Sequence, residues 1–200
     1  ADILDGCIMA NTIGFTGDGK FLEMFTGPLS MIDQRNGQGI CTMKPWVKEG
    51  IDLRLEAVSA SNVLALATDI YSAGLPLLRN SEIPVETKSV EALKELKESL
   101  NVPLIVKGIM TVESALRAKE AGADAIVVSN HGGRVLDEAL STIEVLEDID
   151  FPDYKVTALT PKVGSKIGVL NDDITSILDI NHRTNNYTHE SIIHNFILPI

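Results

Sequence analysis

"IVVSNHGGRVLD", residues 126–137, decides the fold. With Ala125 before it, an unbroken apolar run ends at Ser129, and His131, Gly132, Gly133 and Arg134 follow at once. A continuous β-branched run is the mark of a strand buried on both faces, as in a parallel sheet. Polar groups crowded at the C-terminal end of such a strand lie where α/β folds gather their ligands.

Outward from that stretch the pattern repeats. "DGCIMANTIGF" (5–15), "GICTMKP" (39–45), "VLALATDI" (63–70) and "VPLIVKG" (102–108) are further buried runs, and parallel strands are expected at 8–15, 39–44, 63–69, 102–107 and 125–129. Helical patterns fall between them. "TKSVEALKELKESL" (87–100) places Val90, Leu93, Leu96 and Leu100 on one stripe. "TVESALRAKEAG" (111–122) opens on Thr111 as N-cap, carries Glu113 and Arg117 four apart and stops at Gly122. "STIE" (141–144) is a capping box, and "IDLRLEAVSAS" (51–61) is a weaker helix. Alternating strands and helices give the α/β class. Thr16–Lys20, Lys44, Asp69, Lys107 and Ser129–Arg134 each follow the apolar part of a strand. A barrel brings all those ends to one face, whereas an open doubly wound sheet gathers ligands near one switch point. The expected architecture is a (β/α)8 TIM-type barrel, partial, with about five recognisable strands. Residues 1–150 form that partial barrel, and 151–200 are expected as a divergent, poorly packed tail.

Bulk properties narrow the function. A formal charge of -11 over 200 residues argues against nucleic acid and anionic membrane as partners, since both require a basic surface. A hydrophobic content of 44% fits a globular chain, and no segment has the length of a membrane span. The two cysteines, Cys7 and Cys41, make neither a disulfide framework nor a metal cluster and are expected as buried thiols in a cytoplasmic protein. The chain starts without methionine inside an apolar run, as an internal fragment would. Three of its four histidines lie in the Asn-rich tail; His189 and His194 are five apart, off the spacing that puts two zinc ligands on one helical face, so no metal is expected.

The chemistry sits in the opening stretch. A histidine can act as a general base near neutral pH. Glycines let backbone approach a ligand, and an arginine presents a planar fork to a carboxylate. Base and clamp together suit a small organic acid that loses a proton; a plain glycine-rich turn is the alternative.

"IVKGIMTVESALRAKEAGADAIVVSNHGGRVLD" (105–137) resembles the FMN-dependent α-hydroxy-acid oxidases and dehydrogenases, the glycolate and lactate oxidase family, in a divergent bacterial branch. "IMANTIGFTGDGK" and "ICTMKP…LALATDIYSAGL" look like earlier parts of the same barrel. The resemblance implies FMN as cofactor and a small 2-hydroxy acid as substrate, oxidised to the 2-oxo acid. It implies that Lys107 lies by the flavin N1–C2=O edge, that Ser129 bonds the ring and that Gly132 lines the cofactor. It assigns His131 as the base, Asp69 as the group stabilising its imidazolium, and Arg134 as the carboxylate clamp.

Departures from the family pattern are equally specific. Ala67 stands where a threonine precedes the aspartate by two, and no tyrosine appears around "TMKPW". "VTALTPKVGSKIGVL" (156–170) lacks the acidic-glycine-arginine phosphate motif. The 200-residue chain is therefore expected to bind FMN weakly and to form homo-oligomers through open barrel edges. Two other readings remain: an FMN-barrel enzyme of the isopentenyl diphosphate isomerase type, and a truncated, non-catalytic remnant.

Overall fold

The computed structural model describes residues 8–11, 21–34, 36–37, 39–149, 157–158 and 196–199. Five parallel strands follow one another across a sheet: β1 (Ile8–Asn11), β2 (Gly39–Met43), β3 (Ala65–Asp69), β4 (Leu104–Ile109) and β5 (Ala125–Val128). All five expected strands are present and mutually parallel. Their spatial order is their chain order. A doubly wound sheet would reverse direction at a switch point. A sheet that adds each new strand on the same side is a segment of a (β/α)8 barrel, and the fold is of that type.

Strand alternation divides the side chains into two layers. Cys41, Met43, Leu66, Leu104, Val106, Ile126 and Val128 face the helices and form one buried cluster with them. α1 (Phe21–Gln34) contributes Leu29 and Ile32, α2 (Lys48–Ala60) Ile51 and Val58, and α3 (Pro76–Arg79) Leu78. α4 (Val90–Glu98) adds Leu93 and Leu96, α5 (Val112–Glu120) Ala115 and Ala118, and α6 (Thr142–Ile149) Val145 and Ile149. Each large aliphatic residue so buried contributes about 1.5–3 kcal/mol. The opposite face carries Ile40, Ala65, Ala67, Ile105, Ala125 and Val127, which are also buried.

The helix signals read from the sequence mostly act as expected. Ser89 caps α4 by accepting from the Ala92 amide at 3.1 Å. Thr111 and Ser114 form a capping box on α5, Glu113 and Arg117 pair at 2.7 Å, and Gly122 ends the segment at φ 78°. Ahead of α6 only half of the expected box forms: Glu144 accepts from the Ser141 amide and hydroxyl, while the Glu144 amide donates to the Ser141 carbonyl and not to its side chain. α2 begins three residues earlier than the pattern suggested, because its inner stripe is Gly50, Ile51, Arg54 and Val58. Arg54 is buried there with its guanidinium 4.5 Å over the Trp46 ring. α1 was not legible, since Gly27 and Pro28 stand in its middle.

Two strands of the region after residue 150 are described. β6 (Thr157–Ala158) pairs antiparallel with β7 (Phe196–Pro199), and β7 lies antiparallel on the outer edge of β5. The rest of 151–200 lies outside the described residues, including His182, His189 and His194, as do Cys7 and Thr16–Lys20. Cys41 is a buried free thiol, and burial pushes its pKa up to about 12. Among the described residues no helix is long and apolar enough to cross a membrane, and no group of three metal-ligating side chains occurs.

Gly108 follows Lys107 at a break in the strand register. It has φ 101°, and the β4–β5 register slips between Lys107 and Ile109. A Cβ there would stand 2.5 Å from the Tyr71 amide nitrogen, in the short 3-10 turn (Ile70–Gly74) that leaves β3. Gly108→Ala is expected to destabilise the fold by at least the ~1–3 kcal/mol of the backbone strain alone. Thermal unfolding measures this; an unchanged midpoint would mean that the turn does not press on β4.

Candidate functional site

Lys44, Asp69, Lys107 and Ser129 stand at the C-terminal ends of four successive strands. By alternation Asp69 continues the row Ala65, Ala67, and Lys107 follows Ile105, so all are carried on the face away from the helices. Asp69 and Lys107 are direct neighbours in register.

The cluster centres on one oxygen. Oδ2 of Asp69 lies 2.6 Å from His131 Nδ1, 3.0 Å from Lys44 Nζ and 3.4 Å from Lys107 Nζ. Lys44 and Asp69 are each only 2% exposed. Lys107 also donates to Ser129 Oγ at 2.9 Å, and the His131 amide donates to the same hydroxyl at 3.3 Å. Burial alone would raise the Asp69 carboxyl; the His131 hydrogen bond and the charges of Lys107 and Lys44 outweigh it and hold the group well below the usual carboxylate range. Burial pushes the Lys44 and Lys107 ammonium groups down, against the pull of Asp69.

A stability prediction follows from that depression. The unfolded Asp69 carboxyl titrates near 3.8, and the folded one lower. Its contribution is therefore complete above the unfolded value and is lost as pH falls towards the folded one. Urea midpoints between pH 5 and pH 2 should fall more steeply for the unaltered chain than for Asp69→Asn. Parallel slopes would contradict the depressed carboxyl.

An ionised carboxylate only accepts, so His131 must donate from Nδ1, and in the neutral ring the lone pair is then on Nε2. The backbone reinforces this. His131, Gly132 and Gly133 have φ values of 59°, 67° and 70°, three successive left-handed residues directly after β5. Glycine accepts that conformation freely, but a histidine there is strained, and such strain concentrates at functional sites. Asn130 secures the turn by accepting from the Gly133 amide and donating to the Leu140 carbonyl.

Asp69, Lys107, Ser129 and His131 thus meet as one bonded group. Arg134 joins it from the rim, where it is exposed and its Nε donates to the His131 carbonyl at 2.9 Å. Gly132 is exposed on the same turn, and a Cβ there would meet, among the described residues, only Arg134 Nε, at 3.7 Å. Lys44 is the member whose bond to Asp69 the sequence reading did not identify. Its signal was a charged residue directly after a buried run, the same signal that marked Lys107.

The cluster fits a flavin ring. Lys107 and the His131 amide can only donate, so Ser129 Oγ accepts from both, and its own hydrogen has no acceptor among the described residues. A half-buried cation beside an unspent hydroxyl donor suits the heteroatom edge of such a ring. Oδ1 of Asp69 is likewise buried without a hydrogen-bond partner among the described residues.

The chain is similar to known proteins over part of its length. Over 62 residues the chain is 53% identical to a peroxisomal (S)-2-hydroxyacid oxidase of Arabidopsis thaliana, covering 31% of this chain and 16% of that protein. Over 66 residues it is 50% identical to a 4-hydroxymandelate oxidase of Amycolatopsis orientalis, covering 33% and 18%. The crystal structure of a mandelate oxidase superposes with a TM-score of 0.51 at 23% identity, covering 70% of this chain and 45% of that one, a likeness of fold. The matches to the two curated relatives thus span less than a fifth of those proteins' length. A family model described as FMN-dependent dehydrogenase matches residues 55–173. That segment exceeds half of the sequence and contains Asp69, Lys107, Ser129, His131 and Arg134, so the chain belongs to the FMN-dependent dehydrogenase family.

Proposed function

We propose that this chain carries the ring-facing and substrate-facing part of an FMN enzyme that oxidises a small 2-hydroxy acid to the 2-oxo acid. The observation that carries the proposal is His131, buried and held at 2.6 Å by Asp69 through Nδ1; in the neutral ring this would make Nε2 the basic nitrogen. Bound FMN would supply the two-electron acceptor that no amino-acid side chain provides.

The chain's own groups do the rest. Lys107 and Ser129 would hold the heteroatom edge of the ring, the ammonium opposing charge that builds there on reduction. Arg134 would pair with the substrate carboxylate, its Nε already fixed on the His131 carbonyl. Nε2 of His131 would take the hydroxyl proton, or the α-proton in a carbanion route. Asp69 would stabilise the resulting imidazolium. Gly132, with no side chain, would leave room for the ring. The named relatives act on 2-hydroxy acids, and the base-and-clamp pair suits that class. For assembly, β7 occupies the β5 edge and β6 follows it, so among the described strands a homo-oligomer of this chain would pair through β1 or β6.

The test is titration of the purified chain with FMN, followed by anaerobic addition of glycolate, (S)-lactate or (S)-mandelate. Binding should be weak, because 156–170 offers no acidic-glycine-arginine motif for the phosphate. Each missing charge-assisted hydrogen bond removes about 1.5–3 kcal/mol. Bleaching of the flavin's visible band by any of these acids supports the function. No bleaching at saturating FMN would reduce the chain to a non-catalytic remnant.

A further inference from the structure

We propose that Lys44 is a positioning residue of this site: by holding Oδ2 of Asp69 it keeps that oxygen on His131, and so keeps the imidazole as the tautomer with its hydrogen on Nδ1. The functional meaning rests on His131 as the base; the geometry and its test do not.

Three observations lead there. Lys44 is 2% exposed and bonded to Asp69 at 3.0 Å, so it is part of the buried cluster and not a rim charge. All three donors converge on Oδ2, while Oδ1 has no hydrogen-bond partner among the described residues, so the carboxylate's rotation is fixed from one side only. The other cation, Lys107, is the more distant at 3.4 Å, is 13% exposed and is shared with Ser129.

Among the described residues, the charged groups around His131 are Asp69 from β3, Lys107 from β4, Lys44 after β2 and Arg134 from its own turn, with Ser129 the polar neighbour at the end of β5. Without Lys44, the carboxylate is free to turn Oδ1 towards Lys107. The ring then loses its fixed acceptor, and hydrogen on Nε2 becomes competitive. A base protonated on Nε2 has no lone pair facing the substrate.

The experiment is nitrogen-15 NMR of the full chain labelled at histidine, at alkaline pH where the ring is neutral, with the His131 signal assigned by its loss in His131→Gln. In the unaltered chain one tautomer should be present, with Nε2 unprotonated. In Lys44→Met the second tautomer should rise to a comparable population, and in Lys44→Arg the single tautomer should return. With added FMN, kcat of Lys44→Met should fall on the order of tenfold with KM little changed, the lower end of what losing an outer partner of a metal-ligating histidine costs. A single tautomer in Lys44→Met would overturn the proposal whether or not the chain turns over a hydroxy acid. If Lys44→Met does not fold, the unaltered chain decides. A solvent-protected Lys44 ammonium signal with a through-space contact to the His131 ring supports the proposal, and its absence overturns it.

Discussion

Replacing Asp69 by asparagine is expected to destabilise the chain by about 3–5 kcal/mol, the range for removing one partner of a buried ion pair. The loss reaches the upper end because two ammonium groups, Lys44 and Lys107, depend on the same carboxylate. Asparagine keeps the shape and removes only the charge, so packing hardly changes. Two cations are then left with no counter-charge in a pocket where Lys44 is almost wholly buried, held only by neutral acceptors such as the new amide oxygen and, for Lys107, Ser129. Domains are stable by only about 5–15 kcal/mol, so the variant should populate unfolded states at urea concentrations where the unaltered chain is native. Lys44→Met combined with Asp69→Asn should recover part of the loss, since one stranded charge is gone. An Asp69→Asn midpoint equal to that of the unaltered chain would show that the cluster is hydrated in solution.

His131→Gln carries the largest expected effect on rate. With FMN added to saturation, reduction by the best 2-hydroxy acid should slow by roughly 10²–10⁴, the range for losing a general base. Glutamine can still donate to Asp69, so the bond at 2.6 Å has a replacement and the fold should persist. What it lacks is a nitrogen that accepts a proton near neutral pH. The rate loss should therefore come without a change in the unfolding midpoint, in contrast to Asp69→Asn. A variant as fast as the unaltered chain would remove His131 from the chemistry and leave its strained backbone unexplained.

Much of this was readable in the sequence because strand ends in a parallel sheet are marked twice. An apolar run says where a strand lies, and the first polar residue after it says which end is functional. Asp69 after "LALAT", Lys107 after "PLIV" and Ser129 with His131 after "AIVV" all follow that rule. What escaped did so for physical reasons. α1 hides behind Gly27 and Pro28, whose intrinsic preferences oppose a helix that tertiary packing of Leu29 and Ile32 sustains. α2 hides part of its inner face because Arg54 occupies a buried position, stacked on Trp46. Lys44 obeyed the strand-end rule, but only coordinates show that it and His131 share one oxygen of Asp69. The pairing of β7 with β5 has no local signature, because "FILP" carries no information about a partner at 125–128.

The chain order of the strands also has a kinetic consequence. Neighbouring strands close short loops, and the Lys44–Asp69 bond links residues 25 apart, Lys107–Asp69 residues 38 apart. His131–Asp69 spans 62 and passes over β4. Loop-closure entropy grows only slowly with length, so the penalty for the longest bond is modest. Yet that bond cannot form until β3, β4 and β5 have all docked, whatever its own strength. Contacts of low sequence separation assemble first, and those that skip an element come later. The paired lysines and aspartate are thus in place while the histidine is still free, and the imidazole is the last member to arrive. On a growing chain the same order holds: the carboxylate waits for the imidazole.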